Sequence, residues 1–161
     1  MKKIVLLLTI LIAFTSCESE VKFNTPAFQV FKDNALWRAD NTKNNISNGV
    51  LTMTAFRGSE QISLVVPAPT TEISTTNPVT YILGVDDIKY ATYKITEEDI
   101  TLSYKTGEEI GNGEITITEY NPSTKTLSGN FKFNATYQGT NTSVSTNSNF
   151  QEGFIYKIQI Q

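Results

Sequence analysis

A chain of 161 residues with 39% hydrophobic and 18% charged residues can build one ordinary core and is cramped for two domains. It has no histidine and one cysteine, which removes the usual hydrolase triads, the common zinc sites and any disulfide framework. Without Lys2 and Lys3 the basic count falls from 13 to 11 against 16 acids, so the expected mature chain carries −5 and nucleic acid is excluded as a default partner.

The N-terminus reads as an address. Lys2 and Lys3 form a basic start, and Ile4 to Phe14 is an apolar run broken only by Thr9. Such a run rises about 16 Å as helix against a hydrocarbon core of about 30 Å, so it fits an export signal and not a resident span. The next residues, Phe14-Thr-Ser-Cys17, resemble the bacterial lipobox. That resemblance implies diacylglycerylation of the Cys17 thiol, cleavage after residue 16 and acylation of the new amine, palmitate being a typical chain. Two or three acyl chains hold a protein on a bilayer, at about 0.8 kcal/mol per buried methylene. Glu18, Ser19 and Glu20 follow, and no aspartate stands directly after Cys17, which points to the outer membrane, on its periplasmic or cell-surface side. The expected layout is signal 1–16, lipidated Cys17 and tether 17–26, and an all-β domain 27–161.

Beyond the tether, alternation of apolar and polar residues dominates. Phe28 to Val30 and Leu36 to Arg38 flank a tight turn at Lys32-Asp-Asn-Ala35. Asn41 to Asn45 reads as a polar loop. Val50 to Phe56 and Gln61 to Val66 flank a hairpin turn at Arg57-Gly-Ser-Glu60, and Pro67-Ala-Pro69 stops the second strand. Thr70 to Pro78 is a long loop, Val79 to Gly84 a strand, and Val85 to Ile88 a single helical turn. Ala91 to Ile95 and Ile100 to Tyr104 flank Thr96-Glu-Glu-Asp99. Glu114 to Tyr120 sets Ile115 and Ile117 on one face, and after Asn121-Pro-Ser-Thr-Lys125 the run Thr126 to Tyr137 aligns Phe131, Phe133, Ala135 and Tyr137. Thr142 to Thr146 is a further strand, and Phe154, Tyr156, Ile158 and Ile160 alternate to the end. About ten strands at this spacing predict one antiparallel β-sandwich or barrel-like domain.

Gly113-Glu-Ile-Thr-Ile-Thr-Glu-Tyr120 with Leu127-Ser-Gly-Asn-Phe-Lys-Phe-Asn-Ala135 resembles the central block of a family of small Bacteroidetes lipoproteins that carry a domain of unknown function. The opening Phe28-to-Asp40 stretch with Trp37, and Tyr81-Ile-Leu-Gly84, are similar to that family's early hairpin and to a later strand. The resemblance covers most of the mature chain. It implies an all-β fold and brings no catalytic or ligand residues with it.

Other chemistries have thin support. The acid pairs Asp86-Asp87, Glu97-Glu98-Asp99 and Glu108-Glu109 all fall in expected turns, whereas a glycosidase needs two carboxyls about 5–9.5 Å apart in one cleft. The spacing of a twelve-residue calcium loop is absent. Trp37 and the seven tyrosines would suit sugar or apolar ligands, but at alternating positions they read first as core. The expectation is a non-enzyme with no cofactor, no metal and no catalytic residue. It is a binding or accessory module for a glycan, a small apolar ligand or an envelope protein, or else a structural part of an envelope assembly. A carboxylate-dependent hydrolase is the weakest alternative.

Overall fold

The computed structural model describes residues 25–161, so Cys17 and the signal segment lie outside the described residues. Eleven strands make one curled antiparallel sheet, a half-barrel, which settles the choice between sandwich and barrel-like forms. The strands are β1 (Ala27–Lys32), β2 (Ala35–Arg38), β3 (Asn41–Ser47), β4 (Val50–Arg57), β5 (Glu60–Pro67), β6 (Val79–Leu83), β7 (Tyr90–Glu97), β8 (Ile100–Lys105), β9 (Asn112–Asn121), β10 (Thr126–Tyr137) and β11 (Asn147–Gln159). Their order is β2-β1-β11-β10-β8-β7-β5-β4-β3. One edge of β10 carries β11. Its other edge carries β9 along Thr126–Asn134 and then β8 at Thr136 and Tyr137, so β9 and its neighbour β6 branch from the main path.

Turn chemistry explains the hairpins. Asp33 and Asn34, with φ of 47° and 68°, join β1 to β2, and Asn48-Gly49, at 51° and 75°, joins β3 to β4. Consecutive positive φ values match the right-handed twist of the flanking strands and favour Asn, Asp and Gly. β3, at one end of this path, meets the C-terminal residues of the chain at a seam. The Gln161 N–H donates to the Asn44 carbonyl (2.9 Å), and the Asn44 Nδ2 donates to the Gln159 carbonyl (3.0 Å).

Inward-facing side chains fill the curl. An aromatic series crosses it from Trp37 through Phe28, Phe131, Phe133, Phe150, Tyr93 and Tyr104 to Tyr137, with successive centroids 4.2–6.3 Å apart. Such ring pairs add about 0.5–1.5 kcal/mol each beyond the area they bury. Trp37 is buried, as its place in the alternation suggests.

Four local expectations are corrected. Asn41–Asn45 is not a loop but most of β3, paired along its whole length with β4. Its polar residues hide the strand because only Asn44 and, in part, Ile46 turn toward the core. Val85–Ile88 forms bends and no helical turn, because the Asp86 carboxylate takes the N–H groups of Ile88 and Lys89. Thr142–Thr146 is loop, where the Asn141 side chain accepts the Ser143 N–H, and β11 starts only at Asn147. The alternation of Phe154, Tyr156, Ile158 and Ile160 breaks in the middle. Ile155, Ile158 and Ile160 face the core, while Phe154 and Tyr156 lie half-buried on the outer face.

Candidate functional site

That break has a structural cause. Opposite β10, strand β11 carries two extra residues, one between the partners of Leu127 and Gly129 and one between those of Phe131 and Phe133. Lys157 (φ 44°) and Glu152 (φ 53°) take the left-handed conformation at these two bulges. The Ser128 hydroxyl accepts the Lys157 N–H at 3.1 Å and secures the first. Bulges sharpen local twist and re-aim side chains. The second bulge sends Gln151 and Glu152, adjacent in sequence, both into solvent, and turns Gly153 inward. A side chain at Gly153 would collide with Phe131, since a Cβ there lies 2.6 Å from its carbonyl oxygen and 2.7 Å from its ring. The missing side chain lets the Phe131 ring reach Phe28, 4.9 Å away across β11.

On the outer face, Gln151 and Glu152 separate two shallow clefts. The larger, about 350 Å³, is bordered by Glu114 and Thr116 of β9, Asn130 and Lys132 of β10, and Phe154. The smaller, about 290 Å³, lies against Phe31 and Asn34. Lys132 and Glu114 pair at 3.1 Å with both side chains largely exposed, a contact worth at most about 1 kcal/mol and free to exchange for a ligand. The Phe31 ring is 40% exposed. This surface offers ring faces for apolar C–H groups, amides for two-way hydrogen bonding and charges of both signs.

A second cluster joins β1 and β2 to the β4–β5 turn. The half-buried Glu60 carboxylate accepts the Trp37 Nε1–H at 2.9 Å and the Tyr93 hydroxyl. Burial, then the hydrogen bond to Glu60 and the negative charges of Glu60 and Asp33, raise the Tyr93 pKa well above its ordinary 10.0. The Lys32 Nζ stands 5.1 Å from the centre of the Tyr93 ring. Alongside, Asp33 accepts the Asn149 N–H (2.8 Å) and the Ser148 hydroxyl (3.2 Å). Burial works to raise the Asp33 pKa, but the Asn149 N–H and the Lys32 ammonium outweigh it, and the net shift is downward. An open depression of about 410 Å³ lies beside this cluster, lined in part by Lys32, Arg57, Glu60 and Glu97. Because Glu60 spends both oxygens on Trp37 and Tyr93, the cluster acts as a clasp between strands.

The acid pairs singled out in the sequence do not converge. Asp86 bonds Lys89, Asp87 bonds Lys105 (3.1 Å), Glu98 and Asp99 form the β7–β8 turn, and Glu108-Glu109 forms another. Among the described residues no three or more His, Cys, Asp or Glu side chains are grouped to hold a metal ion. Tyr93 and Tyr104 belong to the core and line no lumen. Sequence reasoning passed over Glu60, Gln151 and Glu152. A signal existed for the last two, because an isolated glycine inside a strand, here Gly153, marks a bulge.

Fold and site together define an all-β half-barrel with a filled interior and a grooved outer face. The chain belongs to the family described as Domain of unknown function (DUF6252), whose model matches residues 24–159. No curated protein and no solved structure matches it.

Proposed function

We propose that this protein is a non-catalytic binding module, anchored in the outer membrane by acyl chains on Cys17, that presents its bulged outer face to an extended polar ligand, foremost a glycan. The observation that carries the binding role is the division of labour across the sheet. The concave side is occupied by packed rings, while the convex side of β9, β10, β11 and β1 holds two adjoining clefts. Saccharides are recognised by ring faces against their C–H surfaces and by amides and carboxylates on their hydroxyls, and Phe31, Phe154, Asn130, Gln151 and Glu152 supply both kinds of group. The lipid anchor rests on the Phe14-Thr-Ser-Cys17 sequence and the basic, apolar stretch before it.

Calorimetric titration of the protein with soluble fragments of envelope polysaccharides tests the binding role. Binding is expected, and the double variant Phe31→Ala/Gln151→Ala should weaken it by about tenfold, or about 1.4 kcal/mol. Absence of binding across such a panel refutes the glycan reading. Cys17→Ala should move the protein from the membrane to the soluble fraction and abolish incorporation of labelled palmitate. A variant that still needs detergent for extraction refutes the anchor.

A further inference from the structure

We infer that β6 is a self-pairing edge through which two copies of this chain associate as an antiparallel, two-fold symmetric dimer. A sheet edge exposes a row of backbone donors and acceptors that attract another strand unless they are blocked. The main path of this sheet ends at β2 and β3, and each end is engaged at one residue. The Leu36 carbonyl in β2 accepts from Arg57 (3.4 Å), with Trp37 clasped to Glu60 beside it, and β3 meets the C-terminal residues at Asn44. At the end of the branch, β6 has a ladder only with β9, from Val79 opposite Ile117 to Leu83 opposite Gly113. Among the described residues, no backbone hydrogen bond joins Val79–Leu83 to any strand but β9.

β6 is short but carries neither of the chemical deterrents, charge and proline. Val79-Thr-Tyr-Ile-Leu83 has no charge and no internal proline, and its pairing with β9 shows no bulge. Ile82 is 49% exposed on the outer face, and Val85 and Ile88 continue an apolar strip at 59% and 65%. A second copy is the occupant this edge fits. Rotation about a two-fold axis at Tyr81 sets Thr80 against Ile82 of the other copy, and Val79 against Leu83, so the strand is its own antiparallel partner. Charge agrees. Asp86–Lys89 and Asp87–Lys105 balance the flank in pairs, so two copies of a chain that is acidic overall meet here without net repulsion. Five residues of strand bury less than the roughly 800 Å² per partner of a standard interface, so the association is weak and concentration-dependent.

Sedimentation equilibrium of the full chain in density-matched detergent tests this without reference to any ligand or to the site of acylation. The wild type is expected to approach a dimer as concentration rises. Ile82→Lys should weaken self-association by about tenfold or more, since a lysine on an edge opposes pairing. Ile100→Lys, at a more exposed position on β8, should leave it unchanged. The double variant Thr80→Cys/Ile82→Cys should give a disulfide-linked dimer under mild oxidation. A monomer at all concentrations, a dimer indifferent to Ile82→Lys or equally sensitive to Ile100→Lys, or the absence of that crosslinked species overturns the inference. Circular dichroism of each variant establishes that it is folded.

Discussion

Two halves of the sheet are built by different rules. From β3 through β4, β5 and β7 to β8 every ladder runs in constant register, with no extra residue in any strand. From β9 through β10 to β11 and β1 the ladders carry register shifts in each pair. The regular half keeps an unbroken alternation, with Thr52, Thr54 and Phe56 of β4 and Thr92 and Lys94 of β7 on its outer face. The bulged half curls the sheet tightly enough to bury Phe131, Phe133 and Phe150 together and, in the same stroke, lifts Gln151 and Glu152 into solvent. Irregularity and the candidate binding face therefore share one cause.

The largest effect that tests this contrast is expected where the two halves touch. Phe150 stacks on Phe133 with centroids 4.2 Å apart and meets Tyr93 of the regular half at 5.2 Å. Phe150→Ala should cost about 4 kcal/mol in urea unfolding. Next comes Gly153→Val, which drives a side chain into Phe131 and should cost about 3 kcal/mol. The matching change in the regular half, Thr52→Val on the outer face of β4, should stay within about 0.5 kcal/mol. Equal costs for the two would erase the distinction between the halves.

Smaller effects probe the clasp and the surface. Glu60→Gln weakens the bonds to Trp37 and Tyr93 and should cost about 1–2 kcal/mol. Tyr93 of this cluster and two other tyrosines set an alkaline limit. Tyr93, Tyr81 and Tyr104 all have pKa values raised above 10.0, chiefly by burial, so their neutral forms belong to the folded state. Below pH 10 that preference is fully present. As pH rises past 10 the unfolded chain loses its tyrosine protons first, and stability falls. Thermal melts should hold level from pH 7 to about 9 and drop beyond 10, less steeply in Tyr93→Phe. Least of all, Lys132→Ala should change stability by under about 1 kcal/mol, and by less still in high salt.

The same division decides how much was readable beforehand. In the regular half, Leu51, Met53 and Ala55 alternate inward as period two requires, and the hairpin at Arg57–Glu60 falls where its glycine suggests. The exception is β3, whose asparagines and lysine mask a strand that the Asn48-Gly49 dipeptide announces from its far end. In the bulged half, strict alternation assigns Phe154 and Tyr156 to the wrong side, because each bulge shifts the phase by one residue. The candidate clefts were illegible for the same reason: they depend on where two extra residues sit. Glu60 was hidden differently, since its partners are 23 and 33 residues away and no local pattern announces them.

The place of β1 constrains how the chain can be made. Its ladder neighbours are β2, just after it, and β11, at the opposite end of the chain. The first hairpin touches the β4–β5 turn early, through Trp37 and Glu60, but the ladder on the other edge of β1 forms only when the final stretch has arrived. β3, β4, β5, β7 and β8 pair with one another without β11, so removing residues 147–161 should strip β1 and β10 of a ladder partner while leaving that regular half able to pair.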